Sequence, residues 1–165
     1  MVNTVYEQDV VLEGTPHHGF IVSLLGTYTR TNLEIIFQNN TMRNIDRTFY
    51  RALILEGDNA DIHVIDNKWI NSTSGVDVAM LKTNKNVILD QTELTEVSST
   101  SQNIFIIQDA ARVDITNFKM YGAHEDYISS AVINLNLAEG GEAYLSDLDF
   151  LNNEFLGTKA IVSQT

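Results

Sequence analysis

An all-β solenoid is the fold class this sequence predicts, and three observations predict it. One spaced apolar pattern recurs five times, its copies begin roughly every 25–30 residues, and two polar columns keep register with the apolar ones. In each copy an apolar pair, two residues apart, is followed five residues later by a large apolar residue. The copies are Ile35-x-Phe37 with Met42, Ile62-x-Val64 with Trp69, Val87-x-Leu89 with Leu94, Val113-x-Ile115 with Met120, and Ala143-x-Leu145 with Phe150. Apolar residues at i and i+2 point to one face of a strand. The runs are too short for amphipathic helices, and Val, Ile and Phe favour strands. A second short strand is read ten or eleven residues further on, starting at Ala52, Ala79, Ile104, Ala131 and Ala160.

The corner between the paired apolar residues and the next strand is mostly polar. One of its columns holds only amides and carboxylates: Asn39, Asp66, Gln91, Asn117 and Asp147. A second column lies two residues after the large apolar one: Asn44, Asn71, Glu96, Gly122 and Asn152. Asn and Gly sharing a column point to a bend with positive φ. Stacked Asn side chains can also hydrogen-bond along the stack as an amide ladder. With one proline and nine glycines, the chain uses Asn and Asp for its turns.

Two segments, Ile35–Asn44 with Ala52–Ile54 and Leu148–Asn153 with Ala160–Val162, resemble right-handed parallel β-helices of the pectin-lyase-like type. The likeness is greatest to large surface repeat proteins whose coils read Ile-x-Asn-Asn-x-Phe-x-Asn followed by Ala-Ile, and it covers about residues 33–165. It implies a right-handed parallel β-helix of about five to six coils. It says little about activity, because function resides in sites grafted on folds. Residues 1–32 fit the repeat less well and read as an irregular coil or partial cap. Within them Phe20-Ile-Val22 occupies the place of a second strand, and Val10-Val-Leu12 that of a shortened first strand. The segment Asn136–Glu142 is expected to protrude as a loop, and Ser72–Asp77 and Ser98–Asn103 to form exposed polar corners. The sequence stops directly after a strand, at Val162-Ser-Gln-Thr165. Solenoid ends need covering, so the expectation is a piece of a longer solenoid, or end-on stacking.

Composition narrows the partners. A formal net charge of −12 disfavours nucleic acid and anionic membrane, which both require clustered Lys and Arg. The absence of cysteine removes disulfides, thiolate metal sites and Cys nucleophiles. No apolar run approaches the ~20 residues of a membrane helix, and no signal peptide is read at the N-terminus. Asn39-Asn40-Thr41 and Asn71-Ser72-Thr73 match the N-glycosylation pattern.

No catalytic, cofactor or metal set emerges from spacing. The acidic run Glu56–Asp61 reads as a solvated turn and departs from calcium-roll patterns. Asp147 and Asp149, two apart, could serve glycoside hydrolysis, but Asp147 already belongs to the corner column. Arg43, Arg47, Arg51 and Arg112 stand outside any recognisable signature. His17, His18, His63 and His124 form no ligand group, and Trp69 reads as core. Tyr28, Tyr50, Tyr121, Tyr127 and Tyr144 are the rings that could form sugar platforms. On the second strand Leu53, Met80, Phe105, Val132 and Ile161, with Ile21, form an apolar column that would face outward if Ala52, Ala79, Ile104, Ala131 and Ala160 face the core. That column is a candidate interface, and a register slip of one residue would reverse it.

The expected function is a structural or adhesive, non-enzymatic β-helix module of a larger extracellular or surface protein. It would self-associate through coil ends or an apolar sheet face, without cofactors. The expected partner is protein, either self or neighbouring coils, or a polysaccharide. The competing expectation is a carbohydrate-active lyase or hydrolase, or a carbohydrate-binding module such as a phage-spike-like fragment.

Overall fold

In the computed structural model the described residues are 5–7, 20–24, 33–47, 51–74, 76–99, 103–122, 131–151 and 160–164. Strands β1 (Val5–Glu7) and β2 (Phe20–Leu24) come first. The chain then passes through β3 (Leu33–Gln38), β4 (Thr41–Arg43), β5 (Asp46–Arg47) and β6 (Leu53–Gly57). The next coil is β7 (Ala60–Ile65), β8 (Lys68–Ser74) and β9 (Ala79–Thr83), followed by β10 (Asn86–Asp90), β11 (Glu93–Ser99) and β12 (Phe105–Gln108). Strands β13 (Arg112–Thr116), β14 (Lys119–Tyr121), β15 (Ala131–Asn136), β16 (Glu142–Ser146), β17 (Asp149–Leu151) and β18 (Ala160–Gln164) complete the series.

Every pairing joins a strand to its equivalent one coil away, and every pairing is parallel. Three sheets result. The first stacks β3, β7, β10, β13 and β16. The second stacks β1, β4, β8, β11, β14 and β17, with β5 also on β8. The third stacks β2, β6, β9, β12, β15 and β18. The molecule is a parallel β-solenoid of about four turns. This is fewer than the five to six coils expected from the sequence.

The register explains why the pattern is legible. Ile35, Ile62, Val87, Val113 and Ala143 form one column across the first sheet. Met42, Trp69, Leu94, Met120 and Phe150 form another across the second. Of these ten residues, eight are buried and the last coil's Ala143 and Phe150 half-buried. Aromatic rings also meet through the interior: Phe37–Trp69 at 6.1 Å, Trp69–Phe105 at 5.5 Å, Phe105–Phe118 at 6.0 Å and Phe118–Phe150 at 5.9 Å between centroids. Tilted and edge-on arrangements like these suit the ring quadrupole.

Both corner columns take the left-handed backbone. Asn39, Asp66, Gln91, Asn117 and Asp147 have φ between 49° and 54°. Asn44, Asn71 and Glu96 have φ of 55°, 47° and 53°, and Gly122 follows at 69°; Asn152 lies outside the described residues. One such residue turns the chain sharply while inter-coil bonding continues. Asp66 N–H donates to Asp90 C=O at 3.0 Å, and Glu93 N–H to Asn67 C=O at 2.9 Å.

The third sheet corrects the expected register. Leu53 pairs with Ala79, Ala79 with Phe105, and Phe105 with Ile133. The columns therefore do not begin at Ala52, Ala79, Ile104 and Ala131 together. Leu53, Phe105 and Val132 are completely buried and face the core, so the candidate interface column is split. Of the residues assigned to it, Ile21 and Met80 point outward, and the side chain of Ile161 lies outside the described residues. The physical reason is that each of these strands opens with two or three consecutive buried residues, such as Ala52-Leu53 and Ile104-Phe105. Alternation alone cannot set register there.

Where described, the corners expected to be exposed are corrected: Ser72, Ser74, Asp77, Ser98, Ser99 and Asn103 are buried, and residues 75 and 100–102 lie outside the described residues. The segment Asn136–Glu142 is held by a tight turn, with Gly141 N–H donating to Ala138 C=O at 2.8 Å and Glu142 N–H to Ala111 C=O at 3.1 Å. Its tip, Glu139 and Gly140, is exposed.

Candidate functional site

Three outer faces follow from strand alternation. On the first sheet the central outward row is Ile36, His63, Ile88, Asp114 and Tyr144. Its last two rungs hold a charged cluster. Arg112 Nε and Nη2 each donate to Asp114 at 2.9 Å, and the guanidinium carbon lies 4.4 Å from the Tyr144 ring centroid. Tyr144 donates to Glu142 at 2.7 Å. The Asp114 carboxylate pushes the Arg112 pKa up, and the bond to Glu142 pushes that of the Tyr144 phenol up. Both shifts favour the species already present at neutral pH. On the next outward row Asp90 accepts from Thr116 Oγ1 at 2.5 Å and Asn117 Nδ2 at 3.0 Å. Desolvation raises the Asp90 pKa, but these hydrogen bonds and those from Gln91 outweigh it and leave it lowered.

The second sheet carries a polar groove of about 470 Å³ at its junction with the first, lined by Asp66, Lys68, Gln91, Thr92, Glu93, Asn117 and Lys119. Lys68, Glu93, Lys119 and Asp149 alternate in charge along one outward row. Lys68 and Glu93 form an ion pair at 3.3 Å. Tyr121 follows Lys119 on the same outward side of β14 and is half-buried.

The third sheet presents an apolar row of Ile21, Ile54, Met80 and Ile106, continued by Asn134. Ile21 is 54% exposed, whereas Ile54, flanked by Ile21 and Met80, is 6% exposed. Beside it runs a polar row of Ser23, Glu56, Lys82, Gln108 and Asn136. This pair of rows replaces the outward column expected from the sequence. Shifting the misread residues of that column by one or two positions recovers it.

Amide ladders lie at different depths. Asn71 Nδ2 donates to Asn44 Oδ1 at 2.9 Å on the surface. In the other corner Gln91 and Asn117 both donate to Asp90. The buried ladder there sits one residue later: Asn40 N–H and Nδ2 donate to Asn67 Oδ1 at 2.9 and 3.1 Å, and Asn67 Nδ2 donates to Phe37 C=O at 2.8 Å. Its column continues as Thr92 and Phe118, so no uniform residue type announces it.

A third ladder went unread in the sequence. Asp77 is wholly buried; its Oδ2 accepts from Arg51 Nη2 at 2.6 Å and Nε at 3.1 Å, and its Oδ1 from Asn103 Nδ2 at 3.0 Å and N–H at 3.3 Å. Residues 51, 77 and 103 recur at the coil period immediately before the third-sheet strands. That spacing was the available signal.

Other candidates separate. Asp147 occupies a left-handed bend and Asp149 opens β17, so they do not share a strand face. Asp61 accepts from Asn86 N–H at 3.1 Å and Nδ2 at 2.9 Å. Among the described residues no three His, Asp or Glu side chains gather as metal ligands. Trp69 is core, and His63 half-buried on the first sheet. His17, His18, His124, Tyr28, Tyr50, Tyr127 and the Arg47 side chain lie outside the described residues.

Fold and faces together define a parallel β-solenoid with three stacked sheets. Searched against protein-family models, curated proteins and solved structures, the chain matches none of them.

Proposed function

We propose that this chain is a structural, adhesive and non-enzymatic β-helix module of a larger extracellular or surface protein, akin to the surface-type pectin-lyase-like repeats. The observation that carries the reading is that outward polar side chains are spent on tying coil to coil. Asn44–Asn71, Asp61–Asn86, Lys68–Glu93 and Asp90–Thr116 are all such bridges. A wall cross-linked this way is stiff and presents fixed rows to a protein partner. A carboxyl group that acts as a general acid near neutral pH needs a pKa raised toward 7. Asp90 is moved in the opposite direction.

A second reading, a carbohydrate-binding or carbohydrate-active module, is favoured by the polar groove lined by Asp66, Lys68, Gln91, Glu93, Asn117 and Lys119. One experiment separates them. The purified chain is incubated with neutral and acidic polysaccharides, and both sugar release and retention on the polymer are measured. The scaffold reading expects neither, together with concentration-dependent light scattering. Fragment release would overturn it in favour of the enzyme, and retention without release in favour of the binding module.

A further inference from the structure

We infer that the third sheet is a self-complementary interface, on which a second copy packs face to face and antiparallel along the solenoid axis. The inference rests on the scaffold reading and specifies how copies would meet. Two sheets facing each other are related by a two-fold axis lying in the plane between them. Place that axis along the strand direction, midway between β6 and β9. Each row then lies over the same row of the partner, with coil order reversed. Ile54 faces the partner's Met80, Ile21 faces the partner's Ile106, and Ser23 faces the partner's Gln108. In the neighbouring row Glu56 faces the partner's Lys82, and Lys82 the partner's Glu56. The register that fixes these assignments is Ile21–Ile54–Met80–Ile106 beside Ser23–Glu56–Lys82–Gln108.

Charge order is what selects this occupant and this orientation. The polar row carries its one anion and its one cation on adjacent rungs, so reversing the coils brings opposite charges together twice. Ser23 Oγ holds Glu56 in place at 2.8 Å. Among the described residues Lys82 is held by a 3.7 Å pair with Asp109, both side chains well exposed at 44% and 57%, and such a pair is weak enough to yield. The apolar row supplies the burial: Ile21 is 54% exposed, and Met80 and Ile106 are half-buried. A charge of −12 on each copy opposes association, so the dimer is expected to be weak and concentration-dependent.

The test uses the full chain in sedimentation equilibrium. Glu56→Lys and Lys82→Glu each set like charges together twice and should weaken the dimer about tenfold. The double exchange, Glu56→Lys with Lys82→Glu, should restore it. A purely apolar or differently oriented contact would show no such rescue. Because the chain has no cysteine, cross-linking has no background. Ser23→Cys combined with Gln108→Cys should give a covalent dimer with a short bis-maleimide. Rescue and cross-linking together support the interface. Self-association without either overturns the interface but leaves the scaffold reading standing. A chain that stays monomeric at every concentration overturns the interface and removes self-association from the scaffold reading. The substituted positions are all on the outer surface, and circular dichroism of each variant confirms folding.

Discussion

Two corners of each coil solve the same problem by different means. Between the first and second sheets the chain turns on one residue with φ near 50°, in every coil described. Before the third sheet it turns through a buried network, Arg51–Asp77–Asn103, in which each coil contributes a different chemistry. Backbone geometry repeats at little cost and tolerates Asn, Asp or Gln alike. A side-chain network works only as a set. The first corner should therefore absorb substitution, and the second should fail when one member is lost.

The largest effect is expected at the second corner. Asp77→Ala removes the carboxylate that Arg51 Nε and Nη2 and the Asn103 N–H groups share. Removing one partner of a buried pair costs ~3–5 kcal/mol, and because the Arg51 side chain keeps 23% exposure the lower end of that range is expected in urea unfolding. A loss below about 1 kcal/mol would erase the contrast between the corners. Next comes Asn67→Ala, which strips the acceptor from Asn40 N–H and the donor from Phe37 C=O. Unpaired buried groups cost ~1–3 kcal/mol each, and about 2 kcal/mol overall is expected by the same measurement.

Gln91 tests the first corner directly, with a smaller change. At its φ of 49° a non-glycine residue bears ~1–2 kcal/mol. Gln91→Gly should leave thermal stability unchanged or raise it by up to about 1 kcal/mol, once the added freedom of the unfolded chain is counted. Gln91→Val should lower it by ~1–2 kcal/mol. If glycine destabilises as much as valine, the side chain and not the backbone holds the bend.

The smallest effect is in pH. The Asp90 pKa is depressed below its ordinary 3.8. Its stabilising contribution is thus complete above that value and is lost as pH falls through the folded pKa. Asp90→Asn should slightly lower stability near pH 7, where the ionised carboxylate contributes, and flatten the acid unfolding curve below about pH 4, where that contribution is lost in the parent chain anyway. An unaltered acid limb would show that its bonds to Thr116 and Asn117 do not discriminate between its charge states.

The same contrast governs what could be read in advance. The first and second sheets were legible because one strict pattern, apolar at i, i+2 and i+7, repeats on both sides of a one-residue turn. The second φ > 0 column was legible because Asn and Gly share it; the first, which holds no Gly, was read only as a row of amides and carboxylates. The third sheet was misread because the stretch leading to it differs in length from coil to coil. Ser74 precedes Ala79, but Ser99 precedes Phe105, and Tyr121 precedes Ala131. Small apolar residues then offered a false alignment. The outward row Ile54–Met80–Ile106 was off by a single step in two of its three places, Leu53 and Phe105. Asp77 was hidden by its charge: an isolated Asp in a polar stretch reads as solvated, and only its Arg and Asn neighbours one coil away make burial tolerable.

The aromatic contacts through the interior give the molecule a built-in local probe. Trp69 is its single tryptophan, wedged between Phe37 and Phe105. In an array where each rung touches only the next, melting can start at one side and travel. Indole emission would then register the arrival of that front at one rung, while circular dichroism averages over all of them. Any interval between the two signals on heating would time how far disorder has to march before it reaches the middle of the stack.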